Sequence, residues 1–292
     1  YISPIKSVLF LISFHSLKIQ FINYNTQTLK KIAFILSLII LISCKNQEPK
    51  SSDKTIADST EKTALPKKEK KEHQIRDIKK AEIAPNVDGD MDDPIWNQTK
   101  WYPMDQNWIG EFPDIKDFFG RYKMTWTPEA LYILVEIKDD ILYDQYKDPL
   151  KLWWDDDCVE IFIDADNSGG EHQYNNNAFA YHVALDGNVV DLDSQKKPLL
   201  YNNHVKMKRT TKDDVSIWEF ELTVYDDTYQ EGKANDPVVL SKDQKLGFAI
   251  AYNDNDTSKE RENFMGSVFV PGEDKNQGWI NADIFGTIVL VE

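Results

Sequence analysis

The sequence predicts an all-β protein whose folded part is a two-sheet antiparallel β-sandwich of the jelly-roll type. From residue 81 onward, many short segments place apolar side chains at every second position, and turn-forming residues separate these segments. No long stretch has the 3.6-residue apolar period of an amphipathic helix. Short alternating strands joined by turns are typical of two-layer sandwiches.

Eight segments carry the strand pattern. Within residues 158–164, for example, Val159 and Ile161 share one face, which leaves Glu160 on the opposite face. Cys158 stands alone in this pattern, so we expect a small buried hydrophobic residue there. The eight predicted strands are 121–127, 131–138, 158–164, 179–185, 204–211, 218–224, 246–252 and 285–291.

The folded part is strongly acidic. Residues 81–292 contain 19 Lys and Arg against 42 Asp and Glu, so the net charge is 19 − 42 = −23. Such a surface repels the phosphates of nucleic acids and of anionic lipids, which excludes nucleic acid as a partner. The acidic residues are either a solvated surface or include clusters that bind cations.

Residues 1–44 have the pattern of a secretory signal. Lys30 and Lys31 precede an apolar stretch, residues 32–42, that is too short to span a bilayer as a helix. The following Ser43 and Cys44 resemble the lipobox of bacterial lipoproteins. That resemblance implies cleavage before Cys44, a lipid on its thiol, and a place in the cell envelope, at the outer membrane. An ordinary signal peptide or a buried apolar segment is the alternative.

The remaining N-terminal residues predict no folded structure. Residues 45–80 contain no aromatic residue and are rich in charged and small polar side chains, which indicates a disordered tether. Met91 is the first methionine in the chain, so we expect residues 1–28 to precede the true start, near Leu29. The predicted order is signal and lipobox, tether, then a folded domain over residues 81–292.

Four blocks of the folded domain resemble the sequence markers of family 9 carbohydrate-binding modules. They are VDGDMDDPIW at residues 87–96, WTPEALYI at 126–133, WDDDCVEIFID at 154–164 and WINADIFG at 279–286. The resemblance covers residues 86–292. It implies a calcium-containing β-sandwich that holds the end of a glucan or xylan chain without hydrolysing it, with a saccharide as ligand and no organic cofactor.

Two tryptophans are the main candidates for sugar binding. By the resemblance, Trp154 and Trp279 supply two facing rings that clamp one sugar ring. An indole face suits a pyranose because the sugar has flat patches of C–H that are stabilised when they are buried on an aromatic surface. Trp153 is the alternative stacking ring if the alignment shifts by one residue, and structural roles for both tryptophans are the competing interpretation.

Three polar residues are the candidates for contacts with sugar hydroxyls. Glu160 matches the family's strand carboxylate, and Asn276 falls where the family has a sugar-binding Asn. His182 stands where sugar-binding members often have Arg, and imidazole lacks the two-pronged hydrogen bonding of a guanidinium. For each residue the alternative is a structural role, as a solvent-facing strand residue, a loop Asn or a half-buried His.

A calcium site is expected in one of two acidic segments. Asp164 and Asp166 begin a loop with oxygen ligands at alternate positions, but Asn175 stands where an EF-hand requires Glu. The segment 254–256, Asp-Asn-Asp, is the other place. Hard oxygen ligands of this kind favour Ca²⁺.

Three other functions remain open from the sequence. The domain could be a structural or interaction module whose clamp is lost, or a glycoside hydrolase that uses paired carboxylates. It could also be a haem-binding sandwich with Met265 and His182 as axial ligands. We expect a binding protein and not an enzyme, which would hold saccharide near neighbouring polysaccharide-degrading enzymes or transporters.

Overall fold

The computed structural model describes residues 71–292, in which the strands form two sheets. Cys44, the signal region and residues 45–70 of the predicted tether lie outside the described residues. Two short 3₁₀ helices, Pro94–Asn97 and Ala282–Ile284, are the helical elements of the described part. Within residues 71–292, no helix has the length and apolar character needed to cross a bilayer.

Fourteen strands are present in the described residues. In chain order they are β1 (Ile75–Lys79), β2 (Tyr102–Pro103), β3 (Gln106–Ile109), β4 (Phe118–Trp126), β5 (Leu131–Asp139), β6 (Cys158–Asp164), β7 (Phe179–Ala184), β8 (Val189–Leu192), β9 (Pro198–Leu200), β10 (Val205–Lys212), β11 (Val215–Leu222), β12 (Lys245–Asp254), β13 (Asn263–Gly266) and β14 (Gly286–Val291).

The strands divide into a nine-stranded and a five-stranded sheet. The larger sheet has the order β1-β14-β12-β6-β7-β8-β9, with β13 paired to β12 and β3 paired to β13. The smaller sheet has the order β10-β11-β5-β4-β2. Neighbouring strands of the described part run antiparallel, except that β1 pairs with β14 in parallel. The predicted sandwich is therefore confirmed, with one parallel pair at the edge of the larger sheet.

All eight predicted strands are present, but the predicted start of the domain at residue 81 is too late. Strand β1 pairs with β14 along its whole length, from Ile75 opposite Thr287 to Lys79 opposite Val291. The indole Nε1 of Trp126 also donates to the carbonyl of Ile78 at 3.0 Å. Residues 75–80, predicted as tether, thus belong to the sandwich. Their apolar pattern was weak because Ile78 alone in this strand is buried.

The main core lies between the two sheets. Strand β6 is buried on both faces, and Val159, Ile161 and Ile163 point into the main core, as predicted. On the other side of the larger sheet, Phe162 packs in a second apolar cluster with Phe264 and other residues. Burial of each such large side chain stabilises the fold by about 1.5–3 kcal/mol. Cys158 is a free, buried cysteine, as expected.

The first of the four blocks, residues 87–96, has a structural role. The buried carboxylate of Glu219 on β11 accepts hydrogen bonds from the Gly89 amide (2.9 Å) and from the Trp96 indole (2.9 Å). Gly89 has φ +83°, and a Cβ there would lie 2.9 Å from the Thr210 methyl group. Glycine is required at this position for its conformation and for space. The block therefore fixes the entry of the chain against the smaller sheet.

Candidate functional site

A pocket of about 370 Å³ lies on the face of the larger sheet that points away from the main core. It brings together all five predicted sugar-binding residues, which are separated by up to 125 positions in the chain. The lining residues are Trp153, Trp154, Glu160, His182, Asp191, Leu192, Lys196, Pro198, Arg261, Asn276 and Trp279.

Three half-buried indoles form the aromatic part of the pocket. Trp153 packs edge-on against Trp154, with ring centroids 4.7 Å apart, and also edge-on against His182 at 6.1 Å. Trp279 packs against the second apolar cluster. Its neighbour Gly278 leaves space for Phe162, because a Cβ at residue 278 would lie 2.8 Å from that ring. Both Trp153 and Trp154 line the pocket, so each is a candidate for the stacking ring that would act together with Trp279.

Two aspartates hold the segment that carries Trp153 and Trp154. The Asp156 carboxylate accepts hydrogen bonds from the amides of Gln145 (2.9 Å) and Tyr146 (3.2 Å). The Asp157 carboxylate accepts from the amides of Tyr143 (2.6 Å) and Asn255 (2.9 Å). These bonds join the end of the loop between β5 and β6 to an earlier part of the same loop and to the loop after β12. The hydrogen bonds of Asp156 and Asp157 therefore hold the segment that carries the two indoles.

Glu160 is the centre of the polar side of the pocket. It faces His182 directly across the β6–β7 pairing, and one carboxylate oxygen lies 2.9 Å from His182 Nε2. The same oxygen accepts from Arg261 Nη1 at 3.2 Å and from Asn253 Nδ2 at 2.5 Å. Burial acts to raise the pKa of Glu160, but His182 and Arg261 outweigh it and hold this pKa below its usual range. The carboxylate is not solvent-facing, since only 2% of the residue is exposed.

Arg261 brings a guanidinium into the pocket, and the sequence analysis did not identify it as a candidate. It lies in the loop between β12 and β13, and its Nη1 also donates to Asn253 Oδ1 at 2.5 Å. The guanidinium carbon lies 4.4 Å from the centroid of the Phe264 ring. In the sequence it stands in a run of four charged residues, Lys-Glu-Arg-Glu, which reads as an exposed loop. Nothing in that run singled out Arg261.

Asp191 is a second carboxylate that the sequence did not reveal. Its oxygens accept hydrogen bonds from the amides of Ala180 (2.8 Å) and Leu192 (2.7 Å). Burial raises the pKa of Asp191 to about 7, although these amides oppose the rise. The surrounding Asp-Leu-Asp sequence gave no signal, because aspartates next to a hairpin turn are common.

The two aspartates first considered for calcium close a turn. Asp164 accepts from the amides of Asp166 (3.2 Å) and Gly169 (2.7 Å), and Asp166 accepts from the Ser168 amide (3.0 Å). Elsewhere in residues 71–292, two sets of three aspartates bring oxygens within 4.8 Å of one another. They are Asp139, Asp157 and Asp254, all buried, and Asp117, Asp140 and Asp256.

The buried aspartate set has the properties of a cation site. Asp254 Oδ1 is buried and has no hydrogen-bond partner in the described part of the chain. Burial, together with repulsion from Asp139, raises the pKa of Asp157 to about 9 and that of Asp254 to about 8. Tyr252 donates its hydroxyl to Asp139 at 2.6 Å. Three buried carboxyl groups at this separation need protons or a cation, and oxygen ligands suit Ca²⁺.

Met265 and His182 cannot ligate one haem. Met265 on β13 is 1% exposed and belongs to the main core between the sheets. His182 lies on the opposite face of the same sheet, where it contacts Glu160. The sequence could not show this, because the faces to which two separate strands direct their side chains depend on their register. The suggested pair of axial ligands is therefore wrong.

Comparison with known proteins gives one family and several relatives. A family described as "Carbohydrate family 9 binding domain-like" matches residues 87–292. Endo-1,4-beta-xylanase A of Thermotoga neapolitana is 35% identical over 83 residues, and its Thermotoga maritima counterpart is 32% identical over 83 residues. Each match covers 28% of this chain and 7% of the xylanase, so the chain spans a small part of either relative.

Two solved structures have a similar fold. Both are a family 9 carbohydrate binding module from Caldicellulosiruptor kristjanssonii, one in complex with cellotriose and the other with glucose. The cellotriose complex has a TM-score of 0.55 at 20% identity and covers 75% of this chain and 94% of its own. The glucose complex has a TM-score of 0.54 at 21% identity and covers 74% and 95%.

Proposed function

Because the chain belongs, over residues 87–292, to the Carbohydrate family 9 binding domain-like family, we propose that it binds the end of a saccharide chain without cleaving it. The observation that carries this proposal is the convergence of Trp154, Trp279, Glu160, His182 and Asn276 on one pocket. The xylanase matches and the complexes with cellotriose and glucose favour a β-1,4-linked glucan or xylan as ligand.

Different side chains of the pocket would bind the apolar faces and the hydroxyl groups of a sugar. The indoles of Trp154 and Trp279 bury the C–H faces of a sugar ring, which supplies most of the binding free energy. Glu160, His182, Arg261 and Asn276 stand among them as partners for hydroxyl groups. Because Glu160 is already held by three donors, it does not need to reorganise on binding. A volume of about 370 Å³ suits a chain end better than a long chain segment.

Isothermal titration against glucose, cellotriose, xylotriose and an α-linked control, maltotriose, tests the proposal. We expect saturable binding to cellotriose or xylotriose with one site per chain, and weaker binding to glucose because it fills less of the pocket. If none of the four sugars binds, the structural or interaction module becomes the better interpretation.

The same samples test the hydrolase alternative. Glu160 and Asp191 both line the pocket, as a glycosidase pair would, but each carboxylate is already engaged by protein donors. We therefore expect no release of reducing ends from cello- or xylo-oligosaccharides over prolonged incubation. Release that disappears in Glu160→Gln would establish an enzyme instead.

We also propose that Asp139, Asp157 and Asp254 hold a structural Ca²⁺, in place of the loop at Asp164 and Asp166. The support is the buried, unpartnered oxygen of Asp254 and the mutual approach of three carboxylates. Asp254 belongs to the second segment considered in the sequence. Bound Ca²⁺ would neutralise these carboxylates and fix Asp157, three residues after Trp154.

Finally, we propose that the domain is attached to the outer membrane through a lipid on Cys44. The support is the sequence alone, in which basic residues, an apolar stretch and Ser43-Cys44 precede a polar tether. A tethered domain would concentrate saccharide near neighbouring enzymes or transporters. In cells, the protein should partition into the detergent phase and take up labelled palmitate, and Cys44→Ser should abolish both. Detergent partitioning of Cys44→Ser equal to the wild type would contradict the anchor.

A further inference from the structure

The pocket has a different charge balance from the rest of the domain. Acidic residues outnumber basic residues by 42 to 19 over residues 81–292. In the pocket lining, Lys196 and Arg261 balance Glu160 and Asp191, and His182 stands beside them. Basic side chains are therefore more frequent in the pocket than in the domain as a whole, which favours a ligand that carries negative charge.

Lys196 lies in a hydrogen-bonded hairpin turn between β8 and β9. The Asp193 carboxylate accepts hydrogen bonds from the amides of Gln195 (2.8 Å) and Lys197 (2.8 Å), and the Lys196 amide donates to the Asp193 carbonyl at 3.0 Å. Lys196 itself adopts φ +67°, a left-handed conformation uncommon for a residue with a side chain. The turn therefore fixes where the Lys196 side chain leaves the backbone.

An aromatic ring orients the ammonium group further along the side chain. Lys196 Nζ lies 4.5 Å from the centroid of the Tyr174 ring, within the range of a cation–π contact. Tyr174 belongs to the loop between β6 and β7, so a second element holds the lysine at the rim of the pocket. The Lys196 side chain is therefore held at its backbone end by the turn and at its ammonium end by Tyr174.

No carboxylate of residues 71–292 lies within 4.0 Å of Lys196 Nζ, although the domain is rich in acids. The pocket carboxylates are engaged elsewhere: Glu160 by His182, Arg261 and Asn253, and Asp191 by two backbone amides. The positive charge of Lys196 is thus available to a ligand, while the negative charges are already matched by protein donors.

We propose that the pocket prefers a saccharide with an anionic substituent, which Lys196 contacts beside the clamped sugar ring. This inference rests on the proposed sugar-binding function and names its substrate class. The shared chemistry is an oxyanion on a sugar, and an ammonium group can donate hydrogen bonds to either a uronic acid carboxylate or a sulfate ester. Because Lys196 is exposed, we expect a three- to fivefold gain in affinity, about the strength of an exposed ion pair.

Titration calorimetry with three matched ligands tests the preference: xylotriose, xylotriose with one glucuronic acid, and a sulfated xylotriose. In low salt, at least one anionic ligand should bind about three- to fivefold more tightly than xylotriose, and about 0.5 M NaCl should remove the difference. The arm that shows the gain identifies the anion. Equal affinity for all three ligands overturns the inference.

Two lysine variants show whether the preference comes from Lys196. In Lys196→Gln, the ratio of neutral to anionic dissociation constants should fall to about one. Lys197→Gln is the matched control, because Lys197 is an exposed neighbour outside the pocket, and it should keep the wild-type ratio. An unchanged ratio in Lys196→Gln also overturns the inference. If the wild-type protein binds neither xylotriose nor cellotriose, the proposed function itself is contradicted.

Discussion

Replacing Trp154 with alanine is expected to weaken cellotriose binding by about 30-fold or more, which corresponds to about 2 kcal/mol or more. The indole is half-buried and lines the pocket, so its loss removes a large apolar face from the ligand. Trp279→Ala should have a similar effect on binding. Its effect on stability should be larger, because Trp279 also packs against the second apolar cluster.

Trp101→Ala is the matched control for the two clamp variants. Trp101 is also half-buried, but it packs against a third apolar cluster and does not line the pocket. This variant should bind cellotriose like the wild type. Trp153→Phe keeps a ring between Trp154 and His182, and a large loss of affinity there would assign the stacking role to Trp153. If Trp154→Ala and Trp279→Ala fold and bind normally, the pocket is not the sugar site.

Calcium is expected to raise the melting temperature of the protein by about 5–10 °C at 100 times its dissociation constant. This follows from a linkage free energy of about 2.7 kcal/mol and a shift of about 2–4 °C per kcal/mol for a domain of this size. Mg²⁺ should have a smaller effect, because it requires near-octahedral geometry. Differential scanning calorimetry after chelation and after addition of each ion measures both values.

The calcium effect should grow as the pH rises. The pKa values of Asp157 (about 9) and Asp254 (about 8) are raised from 3.8 in the folded protein. Without metal, their contribution to stability is complete below about pH 4 and is lost progressively as the pH rises from there to about 8 to 9. Ca²⁺ replaces the protons, so the gain in melting temperature should be larger at pH 9 than at pH 5.

Asp157→Asn tests where the ion binds. It should remove most of the calcium-dependent stabilisation and weaken cellotriose binding, because Asp157 also fixes the loop of Trp154. Asp227→Asn, at an exposed position in the loop after β11, should keep both properties. A full calcium response in Asp157→Asn, or no response in the wild type at any pH, would contradict the site.

The sequence predicted the parts of the fold that repeat a simple pattern. The eight strands with one apolar face were found because side chains alternate at every second residue, as Val159, Glu160 and Ile161 do. The short strands β2, β3, β8, β9 and β13 were missed because two to four residues are too few to show alternation. The candidate sugar residues were found through the family's motifs, and the structure brings all five into one pocket.

Other parts of the site depend on contacts that no local pattern records. Arg261 reaches Glu160 from a loop about 100 residues later, and its sequence context is an ordinary charge run. The aspartate set joins Asp139, Asp157 and Asp254, and only the last lay in a segment considered for calcium. Such clusters arise from the pairing of β6 with β12 and the loops beside them.

The parallel pairing of β1 with β14 has a consequence for how molecules of this protein keep apart. A fragment that starts at residue 81, where the apolar pattern becomes clear, would lack β1. Strand β14 would then be the edge strand of the larger sheet, with unpaired amides and carbonyls. Exposed edge strands of this kind can pair with strands of other molecules, which leads to aggregation. The short, charged strand β1 (Ile75–Lys79) covers the edge of β14, and we therefore expect it to protect the domain from aggregation.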